Sequence, residues 1–173
     1  EAATGLSYTP PNPNTFSFNS PYGACPQCKG LGVVNSIDME RILPDLSLTI
    51  KNGGIAPLGE AREAQSWKQA EKFAKKHKIS LTTPLKDLSE KDINMMLYAQ
   101  PESNISYEER EGSNYNYLTA EFDGIINSLY RWFNESSSDY IRNWSEQFFQ
   151  LDTCTGCNGK RLKQESLHYK IGT

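Results

Sequence analysis

The sequence predicts an α+β chain in which a small base, made from both chain ends, carries an inserted α/β domain. Three observations predict it. All four cysteines fall in two CxxC pairs, Cys25/Cys28 and Cys154/Cys157, one toward each end of the 173 residues. The stretch between the pairs, 29–153, is far longer than the dozen to twenty residues or so that a small cysteine-bound finger encloses. That stretch also alternates strand-like runs with segments of helical period, as a folded domain does and a linker does not.

The elements follow in order. Residues 1–15 read as a tail or linker, with Pro10, Pro11 and Pro13 set among Asn and Thr. Residues 16–34 and 150–173 make the base, and 35–149 the insertion. In FSFNSPYGACPQCKGLG (16–32) glycines suit the tight turns of a metal knuckle. Short strands are predicted around Val33–Val34 and Leu46–Ile50, with a turn at 51–54. A helix is predicted over 60–78, with Trp67, Ala70, Phe73 and Ala74 on one face. A second starts after Ser89, which caps it with Asp92 three residues on, and turns Ile93, Met96 and Leu97 inward. Residues 105–122 read as a β-hairpin around Gly112-Ser113-Asn114. Gly124 separates it from a third helix, about 125–135. A fourth runs from the Ser136–Asp139 break to about Leu151, with Tyr140, Ile141, Trp144, Phe148 and Phe149 apolar. The last stretch, Ser166 to Ile171, reads as a strand.

Composition narrows the class. Hydrophobic residues make up 37% and charged residues 23%, enough apolar surface for a core. No run approaches the 18 or so apolar residues of a membrane span, and EAATGLSYTPPNPNT lacks the basic and apolar regions of a signal peptide. The expected location is therefore a reducing, cytoplasmic compartment, where disulfides are rare. The formal net charge of −3 excludes a globally basic nucleic-acid binder but not a local basic patch.

In that compartment two CxxC pairs point first to a structural zinc ion, one per chain, held by Cys25, Cys28, Cys154 and Cys157 in a closed tetrahedral site. A redox pair or disulfides, and unconnected buried thiols, are the alternatives. A thioredoxin-like centre needs one CxxC beside a βαβ pattern, and neither pair has that setting. His77 and His168 lack ligand spacing and are weaker alternative ligands. A zinc ion would pin both ends of the insertion and supply folding energy that a short base cannot draw from its own core.

Cations mark candidate nucleic-acid contacts. Segment 60–78 carries six basic against three acidic side chains. Lys72, Lys75 and Lys76 there are candidates for phosphate contact, which neutralises charge without reading sequence. The competing reading is a solvated face opposite Trp67 and Phe73. Lys160 and Arg161, with Lys163, follow the second knuckle and carry three readings: steadying thiolate charge, contacting DNA, or forming a solvated turn. Arg131 and Arg142 are expected to lie over the core. Tyr107, Tyr115 and Tyr117 fit cross-strand packing better than base stacking, and the acidic run 108–111 is expected to be solvated. No catalytic constellation stands out, and the phosphate-binding GxxxxGK[ST] pattern is absent: Gly159-Lys160-Arg161 lacks both its glycine spacing and its Ser/Thr.

CPQCKGLG also fits the CxxCxGxG knuckle of DnaJ-type chaperones, but that family repeats it four times at short spacing. FSFNSPYGACPQCKGLG, TPLKDLSEKDINMMLY, EFDGIINSLYRWFNESSSDYIRNW and CTGCNGKRLKQESLHYKIG instead resemble, in order, segments of the UvrA family, the damage-recognition ATPases of the UvrABC excinuclease. The resemblance covers roughly residues 14–173. It implies a fragment with no catalysis of its own: a zinc-stapled part of the first signature domain plus a DNA-facing insertion domain, with ATP handled only by the full-length parent. It also implies damaged double-stranded DNA, the UvrB helicase and a second UvrA copy as partners. A protein–protein interaction module within the repair complex is the alternative. Many family members carry a further CPxC pair just upstream; EAATGLSYTPP has none.

Overall fold

The computed structural model describes residues 10–99 and 122–169. They form two compact units, one from 10–36 with 150–169, the other within 37–149. Among the described residues the order is β1 (Val33–Ile37), α1 (Met39–Ile42), α2 (Gln65–His77), α3 (Glu90–Tyr98), α4 (Ile125–Glu135), α5 (Asp139–Glu146), β2 (Phe149–Thr153) and α6 (Gln164–Leu167). β1 and β2 pair as a two-stranded sheet, and the division into units falls within that ladder. The mixed α+β class is as the sequence predicts.

In the first unit burial centres on the four cysteines, with Val34 packed against them. Asn12 caps a 3-10 turn, Pro13–Phe16, by accepting from Thr15 N at 3.1 Å. Ala24 bridges Leu162 antiparallel. The strand expected from Ser166 is instead the helical turn α6, which buries Ser166 and lets its hydroxyl donate to Thr15 O at 2.7 Å.

In the second unit the helices are closed locally and then packed on one another. Asp38 caps α1, accepting from Glu40 N and Arg41 N. The helix expected over 60–78 begins only at Gln65: Ala64 offers no side-chain cap, and Glu60 and Ala61 are tied back to Asn52 and Lys51. Its C-terminus turns at Lys78 (φ 59°), and Ile79 N–H returns to Ala74 O at 2.9 Å. Ser89 caps α3 by accepting from Asp92 N at 3.1 Å, as its position in the sequence predicts. Gly124 (φ 97°) opens α4 where a Cβ would stand 2.5 Å from Leu97 O, so the end of α3 leaves no room for a side chain.

Two further expectations are corrected. Leu46–Ile50 is not a strand. Asp45 Oδ1 accepts from Ser47 N at 2.8 Å and turns the chain. The following residues then bond singly to 81–86: Leu85 N to Leu48 O and Lys51 N to Leu81 O, with one bridge from Thr49 to Pro84. The fourth helix stops at Glu146, short of Leu151. Phe148 leaves it with its carbonyl accepting from Asp38 N, and Phe149 begins β2. Phe148 and Phe149 remain buried as the sequence suggests, Phe149 against Tyr130 and Phe133 at centroid distances of 5.0 and 4.8 Å. The core runs through Ile42, Ile50, Ile55, Trp67, Leu85, Met96, Leu97 and Leu129. The hairpin expected over 105–122, with its tyrosines and acidic run, lies outside the described residues apart from Phe122.

Candidate metal centre

The two knuckles share one backbone pattern. After Cys28 the chain takes positive φ at Lys29 (50°), Gly30 (84°) and Gly32 (82°); after Cys157 it does so at Asn158 (49°), Gly159 (76°) and Arg161 (69°). CKGLG and CNGKR are therefore conformational copies, with Arg161 holding a left-handed position that Gly32 fills in its twin. This curl lets Leu31 N bond Cys28 O at 2.9 Å and Lys160 N bond Cys157 O at 3.0 Å. It also aims one backbone N–H at each second sulfur: Gly32 N donates to Cys28 Sγ at 3.2 Å and Arg161 N to Cys157 Sγ at 3.3 Å.

The copies are joined reciprocally. Cys25 N donates to Arg161 O at 2.9 Å, and Cys154 N donates to Gly32 O at 3.0 Å. Their sulfurs meet in crossed pairs, Cys25 with Cys154 at 3.9 Å and Cys28 with Cys157 at 3.7 Å. All four lie within 4.8 Å of one another, and all four are buried. Among the described residues no histidine joins them.

Four thiolates so arranged can hold a metal ion. Burial raises the Cys28 thiol, but the N–H groups of Gly32 and Gly30 and hydrogen bonds from Cys157 and Cys154 outweigh it and bring its pKa down to about 7. Burial prevails at Cys154, helped by the neighbouring Cys157 and Cys28 sulfurs, and pushes that thiol up to about 11. A cation among the sulfurs would draw all four to thiolate.

The cations expected to contact phosphate are divided. Lys72, Lys75 and Lys76 are exposed on α2, and Lys160 is exposed after the second knuckle. Arg161 is half-buried: its Nε donates to Gly30 O at 2.7 Å and its guanidinium lies 3.9 Å over the Phe18 ring, bracing one knuckle on the other. His77 packs on Phe73. Arg142 pairs with Asp139 and donates to Ser136 O. Arg131 is 8% exposed and bonds the half-buried Asp123 at 2.8 Å, an ion pair that residue-by-residue reading missed. Its signal was an acid beside Gly124, about two turns before the one arginine on a helix whose apolar face is buried. The reciprocal bonding of the knuckles was also missed, although aligning CKGLG with CNGKR would have exposed it.

Fold and site define a class: a unit of paired cysteine knuckles with clustered sulfurs, and a largely helical unit formed by the chain between them. The family model described as UvrA DNA-binding domain matches residues 38–147. UvrABC system protein A of Clostridium acetobutylicum is 36% identical over 172 residues, 97% of this chain and 18% of that protein. Its counterpart in Bradyrhizobium diazoefficiens is 35% identical over 170 residues, 98% of this chain and 17% of that protein. The crystal structure of UvrA2 from Deinococcus radiodurans shares the fold, with a TM-score of 0.68 at 23% identity over 90% of this chain and 20% of that one. The chain belongs to the UvrA family, and it spans less than a fifth of the length of these curated relatives. Among the described residues no helix is long and apolar enough to cross a membrane.

Proposed function

We propose that this chain is the DNA-facing segment of an excision-repair damage sensor: a zinc-stapled piece of a signature domain carrying an insertion domain, without ATP hydrolysis of its own. The observation that carries the reading is the match of a DNA-binding domain over 38–147, the region that holds the lysine-bearing helix α2. Lys72, Lys75 and Lys76, with Lys160, offer exposed charges that suit phosphates in any sequence, as a lesion sensor requires. ATP, the UvrB helicase and a second copy would be partners of the longer protein.

Zinc fits the thiolate cluster on geometry. A tetrahedron with Zn–S bonds of about 2.3 Å has edges of about 3.8 Å, and the crossed sulfur pairs stand at 3.9 and 3.7 Å. Cys25, Cys28, Cys154 and Cys157 would fill all four positions, so the ion would fold the base and present no open face to a substrate. Gly32 N–H and Arg161 N–H would steady the thiolate charge.

Binding of the chain to a short duplex, followed against salt, tests the DNA reading. Affinity should fall with a log–log slope of about −0.9 per phosphate neutralised, and replacing Lys72, Lys75 and Lys76 by Glu should flatten that slope by about 3. A salt-independent association, or no association, would contradict it.

A further inference from the structure

The second unit contains a cavity of about 620 Å³ that the metal centre and the lysines leave unexplained. Phe122, Trp132, Tyr140 and Trp144 contribute its aromatic walls. Tyr140 is 79% exposed, which leaves most of its ring open to a ligand. The partly buried Arg131–Asp123 pair also lines the cavity, with Ser128 donating to Asp123 Oδ1 and accepting from Arg131 Nη2 at 3.2 Å. Aromatic faces around a few fixed polar groups suit a flat, heteroatom-bearing ligand.

The neighbouring helix indicates what such a ligand would be attached to. Gln65 and Gln69 of α2 line the cavity. Lys72 and Lys76 continue their row at i+7 and i+11 from Gln65, within an arc of roughly 60° and on one side of the helix. The row carries two cations away from the cavity over about 10 Å of helix axis beyond Gln69. A flat ligand that trails a chain of negative charge is a nucleotide in a strand.

We propose that this cavity takes an unpaired nucleobase, stacked against Tyr140, from the DNA strand whose phosphates follow Lys72 and Lys76. The inference rests on the DNA reading above and names the feature of DNA that this unit selects. A base displaced from its helix has already lost its pairing and stacking, so it enters an aromatic site at least cost. Stacking on a ring face is tolerant of base identity, as damage recognition requires.

The test uses the 173-residue chain with two duplexes of equal length, one fully matched and one with a single bulged 2-aminopurine. The bulged duplex should bind about tenfold tighter, in keeping with one base–aromatic stack, and its fluorescence should be quenched on binding. Tyr140→Ala should cost about tenfold on the bulged duplex, less than twofold on the matched one, and remove the quench; Tyr140→Trp should restore both. Because Tyr140 is largely exposed, loss of folding is not expected, and unchanged helical circular dichroism checks this. Equal affinity for both duplexes, or a preference untouched by Tyr140→Ala, would overturn the inference and leave the DNA reading standing. Failure to bind either duplex would overturn both. A Tyr140→Ala chain that keeps its bulge preference but loses binding to the UvrB helicase would overturn it as well, assigning the cavity to a protein.

Discussion

In the knuckle unit, burial is concentrated in four sulfurs and Val34, whereas the unit within 37–149 buries a continuous apolar cluster from Ile42 to Phe149. The first is built from two short segments far apart in sequence, whose backbones cross-bond at Cys25–Arg161, Cys154–Gly32 and Lys163–Gly23 and along the short β1–β2 ladder. So little apolar area cannot offset the entropy of ordering two chain ends. The second unit has helices that close themselves with caps and pack through large side chains. The difference teaches where each should fail: the base when its four sulfurs can no longer share a metal ion, as proposed, and the inserted unit when its core loses volume.

The largest expected effect is on the base. Cys154→Ser should abolish stoichiometric zinc binding and remove amide protection over 20–36 and 150–163, while α2–α4 keep theirs. Structural zinc sites in small domains are worth on the order of 10 kcal/mol, and hydrogen exchange resolves the two units. Simultaneous loss of protection everywhere would break the comparison. In the opposite direction, Leu129→Ala removes a fully buried side chain and should cost about 2–5 kcal/mol in the inserted unit, with zinc content unchanged. Thermal melts paired with metal analysis check this.

Smaller changes sharpen the knuckle comparison. Gly32→Ala forces a side chain onto φ 82° with its Cβ 2.9 Å from Arg161 Cγ and 3.0 Å from Gly159 O; a loss of about 1–3 kcal/mol is expected. At the matching position in the twin, Arg161→Gly relieves the backbone but removes the brace to Gly30 O and Phe18, so zinc release to a chelator should be severalfold faster with little change in melting. Immediately after chelation, before the base unfolds, the two knuckles should also differ in reactivity. Alkylation of Cys28 should rise through about pH 7, where its thiolate forms, while Cys154, held near 11, should react last. Mass mapping of partially alkylated protein reads the order.

What could be read from the sequence follows the same division. The cysteine cluster is legible because thiolate chemistry admits few uses for paired CxxC motifs, and α3 and α4 are legible because Ser89 and Gly124 mark their starts. Three features escaped because tertiary partners decided them. Leu46–Ile50 has the composition of a strand, but Asp45 turns it and no neighbouring strand receives it. Phe148 and Phe149 satisfy a helical period that β1 overrides by pairing with Phe149–Thr153. Arg161 looks like a surface cation after a turn, yet its twin relation to Gly32 folds it back over Phe18. The Asp123–Arg131 pair joins residues just over two helical turns apart, a spacing that the usual i+4 expectation does not cover.

The central claim is that four thiolates from the two chain ends hold one ion that keeps the base folded independently of the inserted core. Metal content with thiol titration before and after chelation tests it most directly. One zinc per chain, no reactive thiol before chelation and four afterwards is the expected result. Four reactive thiols in metal-free, fully folded protein would contradict the account.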